Sequence, residues 1–376
     1  MRCFSDQREQ EKMAIENTNT SPESYPMVAG DGPQSYAMNS TFQKGFVDAT
    51  KEMVAASIVE KLDLRSMGID TSSIFQIADL GCSVGPNTFI AVRNMIDAVE
   101  QNYQAENQNP STLEFQVLFN DHSNNDFNTL FKNLPPNRKY YAAGVPGSFQ
   151  DRLFPKSSLH IVHVSSALHW LSKVPIEVTD SNSSAWNKGN IYCTGFVEEV
   201  DKAYAAQFNN DMESFLDARA QELVPGGLML ILIATLPDGI PLSKTIVGKH
   251  YDFLGSCLYE LAKMGLLSEE KVDSFNFPVF FPFVGEFEKL IRRNGNFSIE
   301  RMDMFTHPLI HKAQSAEYWV PLFRASFEEL FLKHFGEQVV DQIFNHYSKK
   351  LEQNISFALN GITHEEIELF IVLKRN

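Results

Sequence analysis

The stretch from Ile77 to Thr88, reading I-A-D-L-G-C-S-V-G-P-N-T, constrains the fold of this chain more than any other. Just before and into it, Ile74-Phe75-Gln76-Ile77-Ala78 has the length and composition of a strand. After it, Phe89, Val92, Met95, Ile96 and Val99 recur at helical spacing, so a helix begins near Asn87 or Thr88. Between the two lies a tight turn with Gly81, Ser83 and Gly85, and Asp79 stands at the strand's end. Strand, glycine turn and helix N-terminus make a cradle. Glycines let backbone approach a ligand, and the free N–H groups at a helix start bind its polar atoms. An ordinary β–α connection of an α/β domain reads the same at this point, so the surroundings must decide.

A dinucleotide site wants G-x-G-x-x-G with an acid about 20 residues on. Here Cys82 stands where a second glycine would be, and the next strand-end acid is Asp121, closing Leu113–Asn120. A carboxylate at the end of the neighbouring strand can accept both ribose hydroxyls of an adenosyl group. With no G-K-[ST] triphosphate loop, the turn fits S-adenosylmethionine better than a nicotinamide cofactor. A nicotinamide oxidoreductase and a non-catalytic ligand-binding protein are the competing classes.

Further motifs follow in order: Ser35-Tyr36-Ala37-Met38-Asn39-Ser40, Phe119-Asn120-Asp121, Asn124 to Asn128, Val145-Pro146-Gly147-Ser148-Phe149, Leu168-His169-Trp170-Leu171-Ser172, Asn187 to Asn190 and Arg219 to Gly227. With the glycine turn they resemble the plant SABATH family of S-adenosylmethionine-dependent methyltransferases, over Tyr25 to Asn376. That family methylates small carboxylic acids and, in one branch, xanthine nitrogens. The tract Asn120 to Tyr140 is most similar to the loganate and farnesoate carboxyl-methylating branch. The resemblance implies an α/β fold with a Rossmann-like class I methyltransferase sheet, mostly parallel with an antiparallel last strand. It also implies a lid over 25–45, a helical cap over 240–285 and 313–353, and a homodimer.

Site residues carry over position by position. Tyr36, Ser40, Asp79, Gly81, Cys82, Asn87, Asp121, His122, Ser148 and Phe149 match cofactor contacts; Gln43, His169, Trp170, Tyr251 and Phe323 match the acceptor pocket. Asn190, Asp273, Phe275 and Asn276 match positions given to a magnesium ion in some relatives. One carboxylate and two amides make a weak set for a hard cation, and loop hydrogen bonding is the alternative. Ser166 departs from the family, where many members carry tyrosine, and this affects the size of the pocket.

Composition narrows the partners. A formal charge of −15 leaves no basic face for nucleic acid. The four cysteines, Cys3, Cys82, Cys193 and Cys257, form no C-x-x-C pair and suit a reducing cytosol. The longest apolar run, Leu228 to Leu236, is too short to span a membrane. Residues 1–24 are polar and read as a disordered tail rather than a secretory signal.

The remaining elements follow from periodicity. Helices are predicted over Gln43–Leu62, Val197–Leu223, Phe253–Leu267, Glu286–Asn294, Ala313–Gly336 and Gln338–Gln353, with a short one over Asn125–Phe131 capped by Asn124 or Asn125. Strands are predicted over Leu159–Val164, Leu228–Ala234, Phe297–Met304 and Glu368–Lys374; Gln101–Ser111 is read as a polar loop and Pro225-Gly226-Gly227 as a helix stop. The aromatic, proline-rich segment after Asp273 suits the wall of an apolar pocket. Methyl transfer to a carboxylate needs little acid–base help, since an acid with a pKa near 4 is already ionised at neutral pH. No residue is therefore expected to serve as a general base; orientation carries the reaction.

Overall fold

The computed structural model describes residues 23–69, 74–106, 113–308, 315–359 and 367–376. Most of the expected tail, the end of the 101–111 loop and the segment around Ala313 lie outside the described residues. The chain gives α1 (Tyr36–Asn39), α2 (Thr41–Lys61), β1 (Ile74–Leu80), α3 (Pro86–Glu106), β2 (Glu114–Asp121), α4 (Phe127–Lys132) and β3 (Tyr140–Pro146). Next come β4 (Leu159–Ser165), α5 (Glu198–Glu222), β5 (Leu223–Thr235), α6 (Ile246–Lys263), α7 (Glu269–Ser274), α8 (Val284–Asn294) and β6 (Phe297–Phe305). Then follow α9 (Ala316–Phe335), α10 (Glu337–Leu359) and β7 (Ile367–Arg375).

The strands form one seven-stranded sheet in the order β3-β2-β1-β4-β5-β7-β6. Pairings from β3 through β5 are parallel, and β7 runs antiparallel to both of its neighbours. Apolar residues on successive strand positions go to opposite faces. Ile77, Leu230 and Phe370 meet α2 and α3 on one side, among Phe46, Val54, Val92 and Ile96. Ala78, Ile231 and Ile371 meet α5 and α8 on the other, among Tyr204, Phe208, Phe215 and Phe287. A third apolar cluster stands apart from both faces. It joins α6, α9 and α10 with the segment Phe275–Phe281, through Leu254, Leu258, Trp319, Phe323, Phe331 and Tyr347.

Local boundaries depart from periodicity where tertiary contacts override it. Helix α3 continues to Glu106 instead of giving way to a loop at Gln101. Tyr103 is buried there and holds the helix down. The cap of α4 is Asp126, whose carboxylate accepts from Thr129 N at 3.0 Å, rather than Asn124 or Asn125. Pro225-Gly226-Gly227 does not stop a helix: α5 ends at Glu222, β5 begins at Leu223, and the three residues lie inside the strand where the pairing shifts between Leu159 and Ile161. Helix α6 starts at Ile246, well before Phe253, because Thr245 caps it and Ile246, His250, Leu254 and Cys257 continue one buried stripe.

One internal ion pair fixes the turn after β3. Arg219 and Glu222, both fully buried on α5, meet through Nε and Oε2 at 2.6 Å. Arg219 also donates to Phe149 O at 2.7 Å and to Asp151 O at 3.0 Å. Glu222 Oε1 accepts from Leu153 N at 2.5 Å and Phe154 N at 2.8 Å. A buried pair removed from water stands only when its remaining hydrogen-bonding groups find partners, as they do here.

Candidate active site

Ligands of open α/β sheets collect beyond the carboxyl ends of the strands. There the structure holds a cavity of about 170 Å³, walled on one side by strand-end turns and on the other by aromatic side chains of α2, α6 and α9. A smaller recess, lined by Asp79, Cys82, Gly85, Asn87 and His163, opens beneath the same turn.

The turn after β1 is shaped by close approach. Gly81 has φ of +76°, and a Cβ there would sit 2.7 Å from Ala167 Cβ. Its N–H and that of Cys82 donate to Asn120 O at 2.9 and 3.0 Å, which locks β1 to β2. Ser83 also takes a left-handed φ, +49°, and its N–H donates to Asp121 Oδ2 at 2.7 Å. Strain of this kind in a non-glycine residue is held by its surroundings and collects at functional sites. Asp121 Oδ1 accepts from His122 N at 2.8 Å, and burial raises its carboxyl above the ordinary range. Burial lowers the His122 imidazole and raises the thiol of Cys82 and the phenol of Tyr36.

Asp79 turns inward more than expected: Oδ1 lies 2.6 Å from His163 Nδ1, and Oδ2 accepts from Thr88 Oγ1. It therefore supports the recess through its partners as well as lining it. Asn87 Nδ2 donates to both Ser40 O and Ser40 Oγ at 3.0 Å, which ties the helix start of α3 to the α1–α2 junction. Ser40 thus acts one layer behind the wall. Ser148 is also off the wall, its hydroxyl engaged with Gln150. Phe149 reaches the cavity and packs edge-on against Phe215.

At the acceptor end Gln43, His169, Trp170, Tyr251 and Phe323 all line the cavity. His169 stacks on Phe281, with ring centroids 5.4 Å apart, and Trp170 stacks on Tyr25. His169 Nδ1 and Gln43 Oε1 are buried without a hydrogen-bond partner among the described residues. Enclosure of the imidazole lowers its pKa to about 4, so the ring is neutral across the physiological range. Ser166, with φ of +53°, lines the same space. His163, Phe42, Phe46, His307, Trp319, Phe327 and Glu368 also line the cavity or its recess, and no sequence motif singles them out. They come from segments far apart in the chain, and nothing local marks them.

The cradle fits S-adenosylmethionine: Gly81 leaves the close approach open, Asp121 offers a carboxylate, and the buried Ser83 Oγ has no partner among the described residues. The magnesium set fits poorly. Asn276 Oδ1 already accepts from Asn187 Nδ2 at 2.7 Å and Tyr204 OH at 3.2 Å, and Asp273 accepts from Tyr259 OH at 2.5 Å. Among the described residues no three His, Cys, Asp or Glu side chains gather to hold a metal. Asn190, Asp273, Phe275 and Asn276 are therefore better explained as parts of the loop's own hydrogen bonding and packing.

Comparison with known proteins agrees with this geometry. The chain is 47% identical over 358 residues to loganic acid O-methyltransferase of Catharanthus roseus, covering 95% of each. It is 43% identical to farnesoic acid carboxyl-O-methyltransferase of Arabidopsis thaliana over 94% of this chain and 99% of that one. A solved structure, loganic acid methyltransferase with SAH, superposes with a TM-score of 0.89 at 46% identity, covering 93% of this chain and 99% of that one. The family described as SAM dependent carboxyl methyltransferase matches residues 22–376, and the chain belongs to it.

Proposed function

We propose that the acceptor is the carboxylate of a small, largely apolar acid, with a terpenoid acid of the loganate kind favoured over xanthine-type nitrogens. The observation that carries this is the set of neutral donors, Gln43, His169 and Trp170, gathered in an aromatic shell at the acceptor end. No lysine or arginine lines the cavity among the described residues. Bound S-adenosylmethionine supplies a methyl group on a cationic sulfur, and that charge attracts a carboxylate. Trp170 N–H donates to one carboxylate oxygen and neutral His169 to the other, with Gln43 assisting from the start of α2. The aromatic walls exclude water. An ionised acceptor needs no proton removed, so His169 orients and does not act as a base. Such orientation lowers a barrier by about 7–11 kcal/mol at most.

We further propose that residues 25–45 act as a lid, that the enzyme is cytoplasmic and that it pairs as a homodimer. Unpaired, buried Cys82, Cys193 and Cys257 support a reducing compartment. Among the described residues no helix is long and apolar enough to cross a membrane. The dimer rests on family likeness and is checked by sedimentation. The acceptor is tested by incubation with methyl-labelled cofactor and a panel of terpenoid, aromatic and fatty acids beside xanthines. Methyl esters are expected, and methylxanthine as the sole product would overturn the reading.

A further inference from the structure

The floor of the cavity crosses the sheet in one row. Gly81 at the end of β1 meets Ala167 after β4; Ala234 lies on β5; and Glu368 pairs with Ala234 from β7. All four line the cavity. Strands in a sheet are about 4.8 Å apart, so the backbone of Glu368 lies roughly 10 Å from that of Ala167, which leads into His169 and Trp170 where the carboxylate is received. Two alanines leave the space between them open. The chamber therefore runs from the cofactor turn to a carboxylate, and Glu368 is only 5% exposed. His307 and Phe42 stand beside this far end of the cavity, His307 Nε2 donating to Phe42 O at 2.8 Å.

A carboxylate in an aromatic chamber selects what enters. Its oxygens carry about four lone-pair sites and accept further hydrogen bonds while holding a protein partner. It repels a second anion, and it leaves a purely hydrocarbon end facing a polar group that the hydrocarbon cannot satisfy.

Resting on the esterification proposed above, we infer that Glu368 is a specificity residue: it accepts a hydrogen bond from a neutral O–H or N–H on the substrate, roughly 10 Å from the carboxylate that is methylated. The substrate class is then a hydroxylated or similarly donor-bearing monoacid. Plain hydrocarbon acids fit less well, and diacids are rejected.

The test uses octanoic, 8-hydroxyoctanoic and octanedioic acids, whose extended chains bridge this distance, as competitors of the best acid from the panel. With the wild-type enzyme the hydroxy acid should compete best and the diacid worst, with about tenfold or more between successive members. Glu368→Gln should narrow the gap between hydroxy acid and diacid, because the repulsion goes while an acceptor stays. Glu368→Leu should reverse the order of octanoic and 8-hydroxyoctanoic acids. Equal competition by the three acids in wild type overturns the inference, even if neither variant folds. So does an unchanged gap between hydroxy acid and diacid in a folded Glu368→Gln. If no acid in the panel is methylated at all, the esterification itself falls and takes this inference with it.

Discussion

The cofactor end of the cavity takes its groups from the turn after β1 and the end of β2, whereas the acceptor end gathers α2, the segment after β4, α6, α9 and β7. At the first end, backbone does the holding: Gly81, Cys82, Ser83 and His122 all use their N–H groups on Asn120 or Asp121. At the second, side chains do it, with stacked rings and neutral donors. A backbone cradle depends on strand register and a few dihedral angles, so it tolerates few substitutions. An aromatic chamber keeps its enclosure while individual rings change. The cofactor can stay fixed while the acceptor varies.

The comparison predicts separable losses. Asp121→Ala should have the largest effect, weakening cofactor affinity by roughly a hundredfold or more, since a charged acceptor of two amides is lost with its ligand contact. Calorimetry with S-adenosylhomocysteine measures this, and unchanged affinity would remove Asp121 from the site. His169→Ala should lower kcat/KM for the acid by about ten- to a hundredfold, and His169→Asn by less, because one donor to a charged oxygen is lost or replaced. Cofactor affinity should hold in both. The wild-type rate should stay flat from pH 7 to 9, above a His169 pKa of about 4. A profile rising steeply near the pKa of free imidazole would mean that His169 removes a proton.

Gly81→Ala probes the border between the two ends. Its Cβ would meet Ala167, and its φ of +76° suits glycine. A stability loss of about 1–3 kcal/mol is expected, read by denaturant midpoint, together with weaker cofactor binding. Acid acts on the stability of the folded chain rather than on one end of the cavity. Burial lowers His169 and His307 to about 4 and His250 to about 3. Between those values and about 6.5, the unfolded chain binds protons that the folded chain does not. Stability from these three groups is therefore full above pH 6.5 and is lost as pH falls toward 4. The melting temperature should drop by about ten degrees or more over that window; a melting temperature that does not change with pH would contradict the buried neutral rings.

Those two ends also differed in how readily they could be read. The β1 turn is contiguous, and glycine, strand and helix patterns mark it directly, so Asp79, Gly81 and Asp121 were legible from the residues alone. Family likeness was needed for Gln43, His169 and Trp170, since a histidine beside a tryptophan more often packs than binds. Nothing in the chain marks His307 or Glu368, because strand order brings β6 and β7 to the cavity from the far end of the sequence. The mostly parallel sheet with its antiparallel last strand was readable from the resemblance, and the central strands from apolar runs. Boundaries were less so: the start of α6 and the fate of Pro225-Gly226-Gly227 depend on Thr245 capping and on pairing with Leu159, both set by tertiary structure.

Glu222 has a consequence for motion. Its carboxylate holds the amides of Leu153 and Phe154, while Arg219 holds the carbonyls of Phe149 and Asp151 from the interior of α5. Opening this turn would strand a charge away from water, so it cannot fray as a surface loop does. Its amides should exchange hydrogen for deuterium as slowly as those of the central strands, through global unfolding alone. The Phe149 ring is then a fixed surface before any ligand arrives, and the cofactor meets a wall already in place.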